Sequence, residues 1–185
     1  MSALVVPAPS GVGEFGPDQM GWKSWSMDPA PLPAGTIIPT AGLLHGVRLY
    51  LPRRDPVSGA VFYLTAAGAT LSNVGVALYS AAGALLTSSV NANGATAAAF
   101  QTINIKAVTF STPQVIEGEY SLCWWFTGTT LPTMLRGASI TGVQALGKAS
   151  PSMRFFTANT GLTTAAPASL TAQTQSSSAF FAATT

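Results

Sequence analysis

The sequence predicts an all-β protein, namely an antiparallel β-sandwich of jelly-roll type with an extended arm before it and a Ser/Thr/Ala-rich segment after it. Three observations support this fold class. From residue 43 to about residue 136, apolar and polar residues alternate with a period of two in short runs. Turn residues interrupt these runs regularly, and no segment combines a 3.6-residue apolar stripe with a helix-capping signal. Short strands joined by Gly-rich turns are typical of a sandwich.

Alternation defines the predicted strands. In "HGVRLYLP", Val47, Leu49 and Leu51 share one face. Arg48 and Tyr50 share the other face, because successive side chains on a strand point to opposite sides. Each predicted strand therefore has one face that suits a core. The predicted strands are residues 44–52, 60–67, 73–80, 84–90, 99–109 and 119–127.

The run "EYSLCWWF" predicts the most aromatic strand. Four large side chains share one face and three residues share the opposite face. They are Tyr120, Leu122, Trp124 and Phe126 against Ser121, Cys123 and Trp125. If the first face packs in the core, Trp125 lies outside. An outward Trp most often covers a loop or a subunit contact, and less often stacks on a sugar.

Residues 1–42 carry Pro and Gly too densely for a helix or a central strand, which predicts an extended N-terminal arm. Trp22 and Trp25 lie inside this arm, and two indole rings are costly to leave in water. We expect these rings to pack either on the chain's own domain or on a neighbouring subunit.

Residues 43–185 form the predicted β-sandwich domain. Its last segment, residues 150–185, is rich in Ser, Thr and Ala but carries Phe180 and Phe181 near its end. These aromatic residues indicate that the segment is tied down as extra strands, on the domain or on a neighbour. The candidate inter-subunit contacts are Trp22, Trp25, Trp125, Phe180 and Phe181.

Two similar turns occur in succession, "TAAGAT" at residues 65–70 and "SAAGAL" at residues 80–85. Each contains a glycine, which supplies backbone freedom that a Cβ atom would hinder. Their small side chains keep the turns compact and uncharged. We therefore expect them to carry no chemistry and to lie close to another chain.

The chain carries unusually little charge. Only 8% of its 185 residues are charged, whereas Ala, Thr, Ser, Gly and Pro are abundant. Such a composition indicates a protein that packs against copies of itself or against other chains. The basic residues are scattered, so nucleic acid is not an expected partner. No apolar run is long enough for a membrane span, and the N-terminus lacks the basic start of a signal peptide.

One segment imitates a nucleotide-binding motif. In "GVQALGKAS", Gly142, Gly147 and Lys148 have the spacing of a phosphate-binding loop. However, Ala149 stands where a hydroxyl must reach Mg²⁺, and Pro151 blocks the helix whose N-terminus would hold the phosphate. We therefore expect no nucleotide cofactor.

The remaining reactive groups are few. Glu117 and Glu119 are about 6.5–7 Å apart if both lie on one strand, which is near the carboxylate separation of some glycosidases. The run "EGEY" is nevertheless typical of a solvated hairpin turn. His45 is the only histidine and Cys123 the only cysteine, too few groups for a catalytic triad, a disulfide within the chain or a transition-metal site. We expect no enzyme activity, no cofactor and no metal.

Four segments in order resemble the small minor tail proteins of actinobacteriophages and related domains that end longer tail fibres. In that family, a W-x-x-D-P arm, here Trp25 to Pro29, leads into a β-sandwich. Ser80 takes the place of the usual polar residue of the family's turn, and the strand after Tyr120 is more aromatic than usual. The four segments are "MGWKSWSMDPAPLPAGTIIPTAGLLHGVRLYLP", "TAAGATLSNVGVALYSAAGALLTSS", "IEGEYSLCWWFTGTTLPTMLRGAS" and "MRFFTANTGLTTAAPASLTAQTQSSSAFFAATT".

The resemblance implies a virion structural protein, with other virion proteins as partners and a location in the virion after assembly in the host cytoplasm. It favours a homo-oligomer, a trimer, and contributes no catalytic residues. The domain can be displayed on the tail, as a fibre or tip component, or on the capsid as a decoration protein.

Two further functions remain open from the sequence. One is a receptor- or glycan-binding module for the host cell surface, with Trp125 stacking on cell-wall sugars. The other, a distant third, is an envelope hydrolase that uses Glu117 or Glu119 in a cleft.

Overall fold

The computed structural model describes residues 16–27, 35–89, 100, 104–137 and 153–185. Within these residues the chain forms β-strands and one short 3₁₀ helix, Pro17–Met20. The strands are β1 (Ser24–Trp25), β2 (Gly35–Ile37), β3 (Leu44–Ala66), β4 (Leu71–Ser80), β5 (Leu85–Ser88), β6 (Asn104–Gly128), β7 (Thr133–Arg136), β8 (Phe155–Ala158), β9 (Thr174–Gln175) and β10 (Ala182–Thr184).

All ladders between these strands are antiparallel, so the predicted all-β class is confirmed. The main path through the sheet runs β1–β10–β3–β6–β4–β5. Outside this path, β7 pairs with β2 and β3, and β8 pairs with β3 and β9. Because the ladders join the described strands in one sheet, the finer assignment to a jelly-roll sandwich stays a prediction.

Two long strands, β3 and β6, form the longest ladder of the sheet. It runs from His45 opposite Trp124 to Leu64 opposite Asn104. The sequence predicted two separate strands in each of these regions, with a hairpin turn at "EGEY". That division is wrong, because each pair of predicted strands is one continuous strand that also extends beyond the alternating runs.

Bulges let both strands continue through their turn-like residues. The register between β3 and β6 shifts between Leu51 and Asp55, so Pro52 lies where no ladder pair needs its missing N–H group. On β6, Gly118 lies opposite Leu51 with φ of +84°, a left-handed conformation that glycine adopts without a Cβ clash. The strand therefore passes through this point and does not end.

The larger buried cluster, here called the inner core, lies on one face of the central strands. The predicted core face of residues 120–126 belongs to it, as expected. Its Trp124 ring lies 5.3 Å from Phe62 and 5.4 Å from Phe180, measured between centroids. Each such buried aromatic or aliphatic side chain contributes about 1.5–3 kcal/mol relative to exposure.

The opposite face also packs a core, which contradicts the expectation of one core face per strand. Residues 159–172, here called the strap, contribute Leu162, Ala166 and Leu170 to this packing. This second core consists of Leu44, Ala77, Tyr79, Cys123, Trp125, Met153, Phe156 and Ala158.

Trp125 lies under the strap and is only 1% exposed. Its Nε1–H group donates a hydrogen bond of 3.0 Å to the carbonyl oxygen of Thr163. The Tyr79 hydroxyl similarly donates at 3.0 Å to the carbonyl oxygen of Pro167. The prediction that Trp125 lies outside is therefore wrong. Of the three roles considered for this ring, packing under a loop, a subunit contact and sugar stacking, the structure shows the first.

The two terminal segments pair with each other on the sheet. β1 pairs with β10, and β10 pairs with β3. The Trp22 ring lies 5.5 Å from the Phe181 ring, and Trp25 packs in the same small cluster. Residues 16–27 of the arm thus pack on the chain's own domain, and β2, also within the predicted arm, pairs with β7. The expectation that the C-terminal segment forms extra strands is confirmed for residues 153–185.

The two glycine turns contact distant parts of the same chain. Gly83, with φ of +85°, accepts a hydrogen bond of 2.8 Å on its carbonyl oxygen from the Leu170 N–H group of the strap. The Gly68 N–H group donates at 3.2 Å to the carbonyl oxygen of Phe100. Both turns therefore pack against their own chain, and a contact with another chain stays a prediction.

Candidate binding site

The five aromatic residues predicted as inter-subunit contacts lie largely inside the fold. Trp125, Phe180 and Phe181 are 1–2% exposed. Trp22 and Trp25 are partly buried. The inter-subunit role of these residues stays a prediction. Trp25 differs from the three buried rings because it lines an open depression on the surface.

Two depressions adjoin where the arm crosses β3, with volumes of about 360 Å³ and 340 Å³. Trp25 and Tyr50 line both, so the two depressions lie side by side, and together they are here called the arm cleft. Its lining residues are Pro17, Asp18, Lys23, Ser24, Trp25, Arg48, Leu49, Tyr50, Leu51, Pro52, Arg53, Asp55, Glu119 and Arg154.

Tyr50 presents an aromatic ring to solvent from the central ladder. It is 65% exposed, and it lies on β3 directly opposite Glu119 of β6. Arg48 precedes it by two residues and so points to the same side of the strand. On one edge these residues pair with β6, and on the other the Arg48 N–H group donates a hydrogen bond of 2.8 Å to the carbonyl oxygen of Arg154, which holds the strand at this point.

Arg48 is fixed by three groups. Its guanidinium donates hydrogen bonds to the Glu119 carboxylate and, at 3.0 Å, to Oε1 of Gln173. It also lies 5.8 Å from the centroid of the Phe156 ring, within the range of a cation–π contact. The Arg48 side chain is only 8% exposed whereas that of Glu119 is 47% exposed. The buried cation thus holds an accessible carboxylate at the wall of the cleft.

A second ion pair lies in the other half of the cleft. Lys23 Nζ, on the arm, lies 3.0 Å from Oδ1 of Asp55, at the bulge of β3. Arg154 contacts the arm through a hydrogen bond and not through an ion pair: its guanidinium donates to the carbonyl oxygen of Ser26. Partial burial lowers the pKa of Arg154 from its ordinary value. Charged groups from four distant parts of the sequence therefore converge here.

The arm cleft gathers much of the charge of the chain. Four of the eight basic residues and three of the six acidic residues line it. Both signs are interleaved, so the cleft is close to neutral while it is rich in hydrogen-bond donors and acceptors. Elsewhere in the described part of the chain, the charged side chains are Arg54, Lys106, Glu117 and Arg136.

His45 and Cys123, whose residue types often act in catalysis, do not line the arm cleft. Burial lowers the pKa of His45 to about 4, so its imidazole is neutral at pH 7. His45 Nε2 accepts a hydrogen bond of 3.2 Å from the Thr40 N–H group, and its ring packs against Trp124 and Phe180. Complete burial raises the pKa of the Cys123 thiol well above its ordinary value, which disfavours the nucleophilic thiolate.

The two glutamates considered from the sequence have different surroundings. Glu119 pairs with Arg48 in the cleft, whereas Glu117 is exposed on the other side of Gly118. Burial still alternates along residues 115–120, so both carboxylates are exposed, but only Glu119 is among the residues that line the cleft. The geometry therefore gives no support for a glycosidase-like pair.

The phosphate-loop imitation at residues 142–150 lies outside the described residues. Within the described ranges, no three His, Cys, Asp or Glu side chains are grouped as a metal site would need. The same ranges contain no helix long and apolar enough to cross a membrane. No family model, curated protein or solved structure matches the chain.

Sequence reasoning missed the arm cleft because its members share no local spacing. Lys23, Arg48, Asp55, Glu119 and Arg154 stand far apart in the chain and belong to no motif. The available signal was weaker: a chain with so few charges places three acidic and four basic residues between positions 18 and 55. That clustering indicates a polar surface near the arm but does not identify its partners in space.

Proposed function

We propose that the chain is a bacteriophage virion structural protein, a minor tail or surface-displayed subunit that acts by assembly onto the particle. It displays a rigid β-sheet domain whose arm and C-terminal segment are packed onto the domain itself. The resemblance to actinobacteriophage minor tail proteins motivates this function, and the distribution of charge supports it.

The observation that carries the proposal is the sparse charge outside the arm cleft, where the described part of the chain has four charged side chains. Large apolar side chains are exposed there, with Ile38 at 63%, Val115 at 58% and Ile105 at 51%. Surfaces that expose apolar side chains and few charges favour burial against other protein chains. A virion subunit spends its working life in such contacts.

Two arrangements on the particle fit the proposal. In the first, the subunit belongs to the tail, as a fibre or tip component. In the second, it decorates the capsid and stabilises the head lattice. A symmetric homo-oligomer, a trimer, fits either arrangement, because closed symmetry buries the same uncharged surface on every subunit.

Quantitative mass spectrometry of purified particles of the encoding phage tests this function. We expect the chain in the particle, at a few to tens of copies for a tail component and at hundreds for a capsid decoration. Its absence from particles would overturn the proposal.

A matched pair of variants tests the surface. Val115→Lys places a charge on this exposed apolar site and should reduce incorporation into particles, whereas Val115→Thr keeps the branched shape, adds no charge and should not. Thermal melting of each purified variant separates loss of assembly from loss of folding. Equal incorporation of both folded variants would show that this surface is not a contact.

A further inference from the structure

The geometry points to the arm cleft as a binding site for an extended carbohydrate chain. This inference goes beyond assembly. It assigns a class of ligand to the arm cleft, which is separate from the exposed apolar side chains proposed as contacts with other virion proteins. It also places the site away from Trp125, the ring from which the sequence predicted sugar binding. Trp125 is covered by the strap and has no face left for a ligand.

The cleft combines the two kinds of group that a sugar needs. One face of a pyranose ring presents C–H groups, which pack on an aromatic ring. Trp25 and Tyr50 are shared by both depressions, and Tyr50 is the more exposed of the two. A saccharide that crosses the cleft therefore meets aromatic surface at its middle.

The hydroxyl groups of a sugar each donate and accept a hydrogen bond. They are matched by side chains in which donors and acceptors stand next to one another. Each half of the cleft has such a pair, Arg48 with Glu119 in one and Lys23 with Asp55 in the other. Because the opposite charges nearly cancel, the arrangement suits a neutral polyol better than an anion.

The polar groups are held in place before any ligand arrives. Arg48 is fixed by Glu119, Gln173 and the Phe156 ring, so the Glu119 carboxylate needs little reorganisation to accept from a hydroxyl. Fixed side chains lose less conformational entropy on binding, which increases affinity for a weakly interacting ligand. Glu119 remains 47% exposed and accessible.

Size and shape favour a short oligosaccharide over a single sugar or a protein segment. Each half of the cleft lies near the lower end of the usual range of small-ligand sites, about 300–1,000 Å³. Two adjoining halves suit a ligand that extends across both. A protein segment would need a deep apolar pocket for an anchoring side chain. The lining here is half or more polar, and besides the two rings its apolar members are Pro17, Leu49, Leu51 and Pro52.

The test begins with the purified full-length chain on an array of immobilised neutral and acidic glycans. Titrations follow with three soluble probes, chitotetraose, maltoheptaose and xylohexaose, monitored by isothermal calorimetry. We expect at least one neutral oligosaccharide to bind. Absence of binding to the whole array and to all three probes at millimolar concentration would overturn the inference.

Three variants locate the site. Tyr50→Ala removes the exposed ring and should weaken binding tenfold or more. Glu119→Gln keeps the shape but removes the charged acceptor, and should weaken binding several-fold. Val115→Ala removes a comparably exposed side chain outside the cleft and should change nothing. Equal affinity of all three variants would show that the sugar binds elsewhere. If the chain instead captures a virion protein, and Tyr50→Ala abolishes this capture, the ligand of the cleft is a protein segment and the inference is wrong.

These outcomes are independent of the proposed virion role. Binding is measured on the isolated chain, and incorporation is measured on particles. A Tyr50→Ala chain that enters particles normally but fails to bind sugar supports both statements. A chain that enters particles and binds no sugar before or after mutation overturns the carbohydrate site alone.

Discussion

At the scale of single residues, His45 makes the stability of the fold depend on pH. Its pKa is about 4 in the folded chain, against 6.5 for an exposed histidine. As pH falls from 6.5 to about 4, the unfolded chain binds a proton that the folded chain does not bind. The free energy of unfolding should therefore decrease through this window, by about 3 kcal/mol from His45. Urea denaturation at a series of pH values measures the decrease.

The His45→Gln variant serves as the reference for this measurement. A glutamine oxygen can accept the Thr40 N–H group in place of Nε2, but it does not titrate. The acidic residues titrate equally in both chains, so the difference between the two curves isolates the imidazole. Parallel curves between pH 6.5 and 4 would contradict a buried neutral histidine.

At the scale of elements, β4 and β6 approach so closely that one glycine is required between them. A Cβ atom at Gly75 would lie 2.0 Å from the Trp125 ring, far inside any allowed contact. Gly75→Ala should therefore lower the free energy of unfolding by about 1–3 kcal/mol or more through overpacking. Denaturation in urea measures it, with Gly16→Ala as a control, because a Cβ at Gly16 meets no atom within 4 Å.

A second substitution tests whether the clash is with the indole itself. Trp125→Leu removes the ring, and with it the hydrogen bond to Thr163, so it is destabilising alone. When Gly75→Ala is combined with Trp125→Leu, the added methyl group has space, so the two costs should not add. We expect a coupling of about 1–3 kcal/mol between the two positions. Strict additivity would show that Gly75 is needed for another reason.

The same pair of strands shows how far sequence patterns predict elements. Alternation along residues 119–127 correctly divides β6 into its two faces, because side-chain direction is a local property. The pattern does not show that the second face is also buried. That depends on the strap, residues 159–172, which has no periodicity and is joined to the sheet by contacts far apart in sequence. Proline and glycine likewise predicted strand ends where the structure has bulges.

At the scale of the whole molecule, the low charge of the chain favours an assembly protein, which stays a prediction. The structure adds that seven of the fourteen charged residues line the two depressions around Trp25 and Tyr50. The site itself could not be predicted, because it forms only when the arm, β3, β6 and the residues before β8 meet. Sequence patterns depend on neighbours along the chain, whereas Trp25 reaches this cleft through the pairing of β1, near the start of the chain, with β10, near its end.

That pairing gives the last prediction, in which deletion of residues 1–27 is compared with deletion of residues 1–15. The longer deletion removes β1, the Trp22 contact with Phe181, and the Ser24 hydroxyl that lies 2.5 Å from the buried Tyr120 hydroxyl. We expect it to lower Tm by on the order of 10 °C, since several kcal/mol of burial are lost and each shifts Tm by a few degrees. The shorter deletion keeps these contacts.

The central ladder of β3, β4 and β6 does not depend on the arm, so circular dichroism of the longer deletion should still show a β-protein. A synthetic peptide of residues 16–27 should then raise its Tm in a concentration-dependent way, because a ligand that binds only the folded state stabilises it. The same peptide should leave the chain with the shorter deletion unchanged, since its own arm occupies the site. An equal Tm for both deletions would show that residues 16–27 contribute nothing to the stability of the folded domain. It would also contradict the packing of Trp25 that forms one wall of the arm cleft.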